Sequence, residues 1–498
     1  MVSDFFLPVA GGIEIAIYSL AAALLERATP GCTSTYGKKQ VIVITHSRSS
    51  GSSTPRVGIR YLHPSLKIYY LPITPLTSDA TLPQYLTNLP FLRNILIRER
   101  VEILHGHATL SSMALEGIML AGFFKMPRGL RGVDQNENEN KIETQDERRS
   151  SGDLPGKKQK IRTGMGMDMG MESETSTIRT VFTDHSLFEF GSAVGILTNK
   201  LLAGALRNID AVVCVSHAGR ENTTLRAQLD PNLVSVIPNA IVPSDFQPRP
   251  DQADPEWITV VTMTRLVYRK GIDLLVSAAP KICALYPRVR FIVGGDGPKM
   301  VELEQMREQH LLQDRIVLLG AVSPNDVHSV LNQGQIYLCT SLTEAFGISI
   351  IEAASAGLFI VSTKVGGVPE VLPKDMIEFA SPNSSDVVRA LSIAVETIGS
   401  GVHDPLLAHQ RLQGMYTWAN VAERTERVYD KAMARPERDL FERMTRYLDL
   451  GPIFGPILCI ITAVQGIFLG VLDWLQPRAE IDLVPLPASW SQDIQLNS

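Results

Sequence analysis

Two glutamates eight residues apart are where this chain's side chains could do chemistry. Glu344 and Glu352 lie in SLTEAFGISIIEAASAGLFIVSTKVGGVPEVLP (residues 341–373). Gly347 falls where a helix could begin, an apolar helical run follows, and Gly357 is the expected helix stop. FIVST is a short β-branched strand, and Gly366-Gly367 makes a second glycine turn before Pro369-Glu370. Loop, helix, strand, glycine loop and helix start, in that order, put bare backbone amides at the carboxyl edge of a parallel sheet. Anionic ligands bind at such an edge. A carboxylate held there suits the hydroxyls of a sugar or a ribose. On spacing alone, an ordinary strand–helix unit with a capping Glu344 and a solvated Glu352 is the default reading.

Other residues fall at comparable places. Arg265 and Lys270 in TRLVYRKGIDLL follow the strand WITVVTM, and cations there suit a phosphate or diphosphate, with Arg269 merely solvated. A surface ion pair is the default reading for any one of these cations. GGDGP (residues 294–298) follows the next strand, and Gly295 lets backbone approach a ligand. In the first half, His105 and His107 end the strand VEILHGH, and Asp184 and His185 end RTVFTDHSLF. Histidines there could face a cleft and hydrogen-bond a sugar or orient an acceptor. Gly11-Gly12 offers amides to a phosphate from the opposite side.

These residues need two scaffolds. The strands VIVIT, VGIRYL, LKIYYL, VEILHGH, RTVFTDHSLF, DAVVCVS and LVSVIPNA alternate with helical stretches and predict a parallel α/β sheet covered on both faces. A stretch rich in Pro and Asp (residues 238–255) reads as a hinge. A second series follows: WITVVTMTRL, VRFIVGGDGP, RIVLLG, QIYLCTS, LFIVSTK and MIEFAS. The expected organisation is an N-terminal domain over residues 1–240, a C-terminal domain over 241–415, and crossover and juxtamembrane helices over 416–450. Residues 127–176, with NENEN, KKQK and GMGMDMGM, read as a disordered insertion in a surface loop.

Hydrophobic content of 45% and a net charge of −5 describe a globular protein with no pull toward nucleic acid. Five scattered cysteines without a CxxC argue against a disulfide framework or a zinc site. No signal peptide is expected at the start. Residues 453–472, IFGPILCIITAVQGIFLGVL, carry no charge and fit a membrane span, with Trp474 as interfacial anchor. A buried core helix or re-entrant hairpin is the competing reading. Arg435, Arg438, Arg443 and Arg446 precede the segment, and Arg478 faces Glu480, Asp482 and Asp493 after it. The positive-inside rule puts the large N-terminal part in the cytosol and the short tail, residues 473–498, across the membrane.

The N-terminal GG, RLVYRKGIDLL, GGDGP and the E-x(7)-E of EAFGISIIE resemble the retaining glycosyltransferases of family 4, with GT-B fold: two Rossmann-like domains facing across a cleft. SDFF, GIRYL, VFTDHSLF, LTNKLL, CVSH, VSVIPNA, TRLVYRKGIDLL and TSLTEAF are similar, more specifically, to the catalytic subunits of phosphatidylinositol N-acetylglucosaminyltransferases. That resemblance spans residue 3 to about residue 475, the insertions excepted. It implies transfer of N-acetylglucosamine from UDP-GlcNAc to phosphatidylinositol, the first step of GPI-anchor synthesis, by a multi-subunit complex of the endoplasmic reticulum membrane. By the family pattern Glu352 binds ribose. Glu344 holds the donor sugar with the amides at Phe346, Gly347 and Ile348. Arg265 and Lys270 neutralise the diphosphate, and His107 contacts the donor sugar near the reacting centre. The resemblance implies no metal. His105, Asp184 and His185 remain acceptor-side candidates. A GT-B enzyme with another nucleotide sugar or lipid, or a non-catalytic membrane subunit, is the alternative. Two departures stand out. Only Met1 and Val2 precede SDFF, so the family's first strand is expected to be missing, with its neighbours' edges exposed. The helix after Gly12 also lacks the histidine that usually follows GG-x-E.

Overall fold

The computed structural model describes residues 1–8, 11–27, 40–47, 56–63, 65–73, 75, 81, 83–127, 175–188, 190 and 193–484. The expected insertion, apart from its two ends, lies outside the described residues, as do most of loops 29–39 and 47–56 and the tail beyond residue 484. The ends of the insertion pair with each other. β5 (Lys125–Pro127) runs antiparallel to β6 (Thr175–Thr177), so the two chain ends leave and rejoin the domain side by side.

The first sheet contains β1 (Val41–His46), β2 (Gly58–His63), β3 (Leu66–Leu71), β4 (Ile103–His107), β7 (Arg179–Asp184), β8 (Ala211–Cys214) and β9 (Val234–Val236). The strands form two runs, β2-β3-β1 and β4-β7-β8-β9. All pair parallel except β2, which is antiparallel at the edge. The expectation of exposed edges where a first strand is missing is corrected here. Val2 bridges both Ile44 of β1 and Gly106 of β4 in parallel. Its amide donates to the His105 carbonyl (2.9 Å) and its carbonyl accepts from His107 (3.0 Å). The Ser3 amide donates to Ile44 (3.1 Å), and the Ile44 amide to Met1 (2.9 Å). Residues 1–3 are enough to join the runs because successive peptide groups of an extended chain point to opposite neighbours. Val2 is 1% exposed, in the core with Ile44, Leu104 and Ile118.

The second sheet is wholly parallel, in the order β12-β11-β10-β13-β14-β15. The strands are β10 (Ile258–Met263), β11 (Val289–Gly294), β12 (Ile316–Gly320), β13 (Ile336–Cys339), β14 (Phe359–Thr363) and β15 (Ile377–Ala380). Runs such as Val260, Val261 and Ile360, Val361 are buried on both faces, as a sheet with helices on either side requires. Strand order reverses between β10 and β13. That switch point is where doubly wound sheets open a crevice for ligands.

The chain then returns to the first domain. Thr417 caps the helix Trp418–Met433 by accepting from the Asn420 amide. Ala422 of this helix packs on Leu20, Ala23 and Leu24 of the helix Gly12–Glu26. Glu426 meets Arg27 at 3.1 Å. The helix Phe454–Leu475 is long and apolar enough, by length and composition, to cross a membrane. One face, with Leu458, Thr462, Gln465 and Leu469, is buried on the first domain, while Ile460, Ile467 and Trp474 are exposed. Arg93 holds its far end, donating to Asp473 at 2.8 Å.

Candidate active site

The loops after β10 and β13, the switch-point strands, are locked together by glycines. Gly271 has φ +66°, and a Cβ there would lie 1.8 Å from the Thr340 carbonyl oxygen, so only glycine lets the two loops touch. Thr340 Oγ1 donates to the Lys270 carbonyl (2.9 Å) and the Leu342 amide to that of Arg269 (2.9 Å). The contact carries the Lys270 side chain to Glu344, with Nζ 2.5 Å from Oε2. Both side chains keep about a fifth of their surface open, at 20% and 18%. Gly295, φ +134°, follows β11 and lies against the Thr264 carbonyl, which fixes the loop that carries Arg265. Arg265 itself is exposed.

Glu344 is followed at once by a helix start. Gly347, φ +95°, caps the helix Ile348–Ser355, and Phe346 is buried edge-on to Tyr416. The first amides of a helix have no intrahelical acceptor and carry partial positive charge. Gly366 and Gly367 press on this loop from behind. Cβ atoms there would lie 2.1 Å from the Glu344 carbonyl and 2.2 Å from that of Ala345, and the Gly367 amide donates to Glu344 (3.0 Å). Glu352, one turn into the helix, is half-buried, and burial pushes its carboxyl up to about 7.

The first domain faces this edge. Gly11 and Gly12 open the helix Gly12–Glu26, and a Cβ on Gly12 would sit 3.6 Å from Ile348 Cδ1. Two helix N-termini, one from each domain, therefore meet across the cleft. Alongside, both carboxylate oxygens of Glu370 accept backbone amides from the other domain, His217 at 2.7 Å and Ala218 at 3.0 Å. Glu370 was legible only as the end of a glycine turn. Its interdomain role depends on where the helix His217–Ala227 starts, which spacing does not fix.

The first-domain candidates divide by partner. His105 has both ring nitrogens engaged, Nδ1 with Tyr429 Oη (2.8 Å) and Nε2 with Thr183 Oγ1 (2.7 Å). Tyr429 arrives on the returning helix, so no motif in the first domain announces it. His107 stacks on His105 with centroids 4.1 Å apart, and its Nδ1 meets His185 Nε2 at 3.3 Å. Its Nε2 is buried with no partner among the described residues. Burial holds His105 and His107 well below the usual imidazole range and His185 at about 4, so all three are neutral near pH 7. Asp184 turns inward to Arg226 (3.4 Å) and Thr223 Oγ1 (2.8 Å). Among the described residues no group of three or more His, Cys, Asp or Glu is arranged to hold a metal ion.

Two Rossmann-like domains with glycine-kinked loops, a lysine–glutamate pair and opposed helix N-termini at the cleft define a GT-B glycosyltransferase. Solved structures agree on the fold. Sucrose-phosphate synthase from Thermosynechococcus elongatus superposes with TM-score 0.58 at 18% identity, covering 85% of this chain and 94% of that one. Anabaena HepE, solved with UDP and glucose, gives TM-score 0.57 at 15% identity, covering 86% and 98%. Family models match in three blocks: PIGA (GPI anchor biosynthesis) over residues 51–128, Glycosyltransferase Family 4 over 170–245, and Glycosyl transferases group 1 over 244–396. The gpi3 subunit of phosphatidylinositol N-acetylglucosaminyltransferase from Schizosaccharomyces pombe is 40% identical over 97% of this chain and 91% of its own length. One subunit of the enzyme of the same name from Homo sapiens is 40% identical over 97% and 86%. The chain belongs to this family of phosphatidylinositol N-acetylglucosaminyltransferase subunits, glycosyltransferases of GPI-anchor biosynthesis.

Proposed function

We propose that this protein transfers N-acetylglucosamine from UDP-N-acetylglucosamine to phosphatidylinositol, with retention, as the first step of GPI-anchor synthesis. The observation that carries the reading is the Lys270–Glu344 pair, held at the switch point beside the helix start at Gly347. Lys270 and Arg265 supply positive charge for the diphosphate that departs. The first-turn amides of the helix Ile348–Ser355 add partial charge where it develops, so the reading requires no metal. Glu352 accepts the ribose hydroxyls, Glu344 with the amides at Phe346, Gly347 and Ile348 orients the sugar, and Gly295 lets the backbone approach the nucleotide. Gly11 and Gly12 close on the diphosphate from the first domain. His107 presents its open Nε2 to the donor sugar. Both domains lie in the cytosol at the endoplasmic reticulum membrane, anchored by the helix Phe454–Leu475 and assembled with other subunits, as the relatives' names say of them.

The test is conversion of radiolabelled UDP-N-acetylglucosamine and phosphatidylinositol to glycolipid by membranes holding the protein and its partner subunits. Product that disappears with Glu344→Ala and Glu352→Ala supports the reading. An assembled complex that makes no product, or one that is indifferent to both changes, overturns it, and preference for a competing nucleotide sugar redirects the donor assignment.

A further inference from the structure

One short turn of the second domain touches both the loop that carries Glu344 and the first domain. After β14 the chain makes the Gly366-Gly367 turn and then a single helical turn, Val368–Glu370. One side of the glycine turn lies against the Glu344 and Ala345 carbonyls. The other side meets the first domain. A Cβ on Gly366 would lie 2.7 Å from Leu187 Cδ1, and one on Gly367 would lie 2.7 Å from Ser216 Oγ. Val215 shares an apolar cluster with Val368 and Val371, and Leu187 packs on it. Glycine at both positions lets the two domains come to backbone contact.

Just past this spacer, Glu370 holds the first domain directly. Its carboxylate accepts from the amides of His217 (2.7 Å) and Ala218 (3.0 Å), the first two residues of the helix His217–Ala227. Ser216 takes the next two amides, Gly219 on its Oγ (3.0 Å) and Arg220 on its carbonyl (2.9 Å). A residue of the second domain therefore completes a helix cap that the first domain leaves half made. A carboxylate also suits the positive end of the helix dipole. Glu370 and His217 are both exposed, so water can take over each group when the domains part. Such a contact can form and release, unlike the sealed pair of Asp184 and Arg226.

We propose that Glu370 is a positioning residue, a reversible latch that holds the first domain closed over the cleft by capping the helix His217–Ala227. Closure is what sets Gly12 against Ile348. The latch's effect on donor binding rests on the glycosyl-transfer reading, whereas its effect on closure is read without substrate. Glu370→Ala removes the acceptor. His217→Pro removes one donor from the other domain and leaves the helix intact. Proline suits the first helical position, and Ser216 is already extended (φ −154°, ψ 166°), as a residue before proline requires. Both changes are made in the full chain assembled with its partner subunits in membranes. Fluorescent labels at Leu225 and Val301, exposed positions of the two domains, report closure by energy transfer. Glu370→Ala is expected to lower the closed-to-open ratio of the substrate-free protein about tenfold, and His217→Pro about threefold. The double variant is expected to match Glu370→Ala within about twofold, because both changes break one contact. The dissociation constant of UDP-N-acetylglucosamine is expected to rise by the factor by which the closed fraction falls. Both variants are expected to melt within about 3 °C of the wild type, since the contact is exposed.

Unchanged energy transfer in either single variant overturns the proposal. So do losses that multiply in the double variant, which would mean that the two residues act apart. A Glu370→Ala protein that melts lower than that window also overturns it, because the residue would then be a structural brace. If wild-type membranes make no product while the variants open the domains as expected, the reaction reading fails and the latch stands. If product forms and neither variant moves energy transfer, the latch fails and the reaction reading stands.

Discussion

Each domain places a cation–carboxylate pair near the carboxyl end of its sheet, and the two pairs do opposite things. In the first domain, Asp184 and Arg226 are 1% and 0% exposed. Thr223 and the Ser186 amide also donate to the carboxylate, and the guanidinium lies 4.5 Å from the Phe188 ring centroid. In the second domain, Lys270 and Glu344 meet at 2.5 Å with about a fifth of each side chain open to the cleft. A pair sealed on all sides cannot exchange partners, so it fixes the end of β7 and the loop after it. A pair with one side open can trade its internal contact for a ligand's phosphate or hydroxyl. Burial, more than residue type, decides which pair is structural and which is available for chemistry.

The largest expected effect comes from breaking the sealed pair. Asp184→Ala leaves Arg226 charged and buried, and is expected to cost about 3–5 kcal/mol in a denaturant titration. If the variant keeps its stability within about 1 kcal/mol yet loses transfer, the contrast collapses and Asp184 belongs with the reacting groups. The open pair should behave the other way. Lys270→Met and Glu344→Gln are each expected to change stability by less than about 1 kcal/mol and to lower transfer about 100-fold. The double variant should fall short of the product of the two losses, because each single change already disables the shared unit. Fully multiplicative losses would show that the two side chains act on separate parts of the substrate.

The second domain's half of the site was legible because its devices are local. Gly271 sits beside Lys270 and Gly347 three residues after Glu344, so short strings contain the loop, the cap and the charged residue together. The first domain's half was legible only as histidines at strand ends. Its partners come from afar: Tyr429 lies 324 residues after His105, and Arg226 lies 42 after Asp184. Nothing in VFTDHSLF says whether Asp184 faces the cleft or a buried guanidinium. The joining of the two strand runs by residues 1–3 was missed for a related reason. Strand length is a pattern over many residues, while bridging two strands needs only alternating amides and carbonyls on both sides.

The smallest expected effect is a difference of sign with pH. Burial lowers His185 to about 4 from an ordinary value of 6.5, so the folded protein holds it neutral while the unfolded chain takes up a proton below 6.5. The stability this group contributes is present above pH 6.5 and is lost as pH falls toward 4. Burial raises Glu352 from 4.5 to about 7, so its contribution is present below pH 4.5 and is lost as pH rises through 7. Between pH 4.5 and 6.5 the two therefore tilt stability in opposite directions. His185→Gln should remove a rise with pH, and Glu352→Gln should remove a fall. Each is expected to amount to about 1 kcal/mol, below full linkage because both groups keep some solvent contact. Melting temperatures of the two variants at pH 5 and pH 7 check this, and wild-type-minus-variant differences of the same sign would break the contrast. Nucleotide sharpens it further. On the proposed role of Glu352, ribose hydroxyls donate to its charged form, so UDP-N-acetylglucosamine, whose diphosphate diester has no ionisation near neutral pH, should bind more weakly at pH 5.5 than at pH 7.5 and should release a proton on binding near pH 6.5. Glu352→Gln should abolish that proton release, whereas His185→Gln in the other domain should leave it in place.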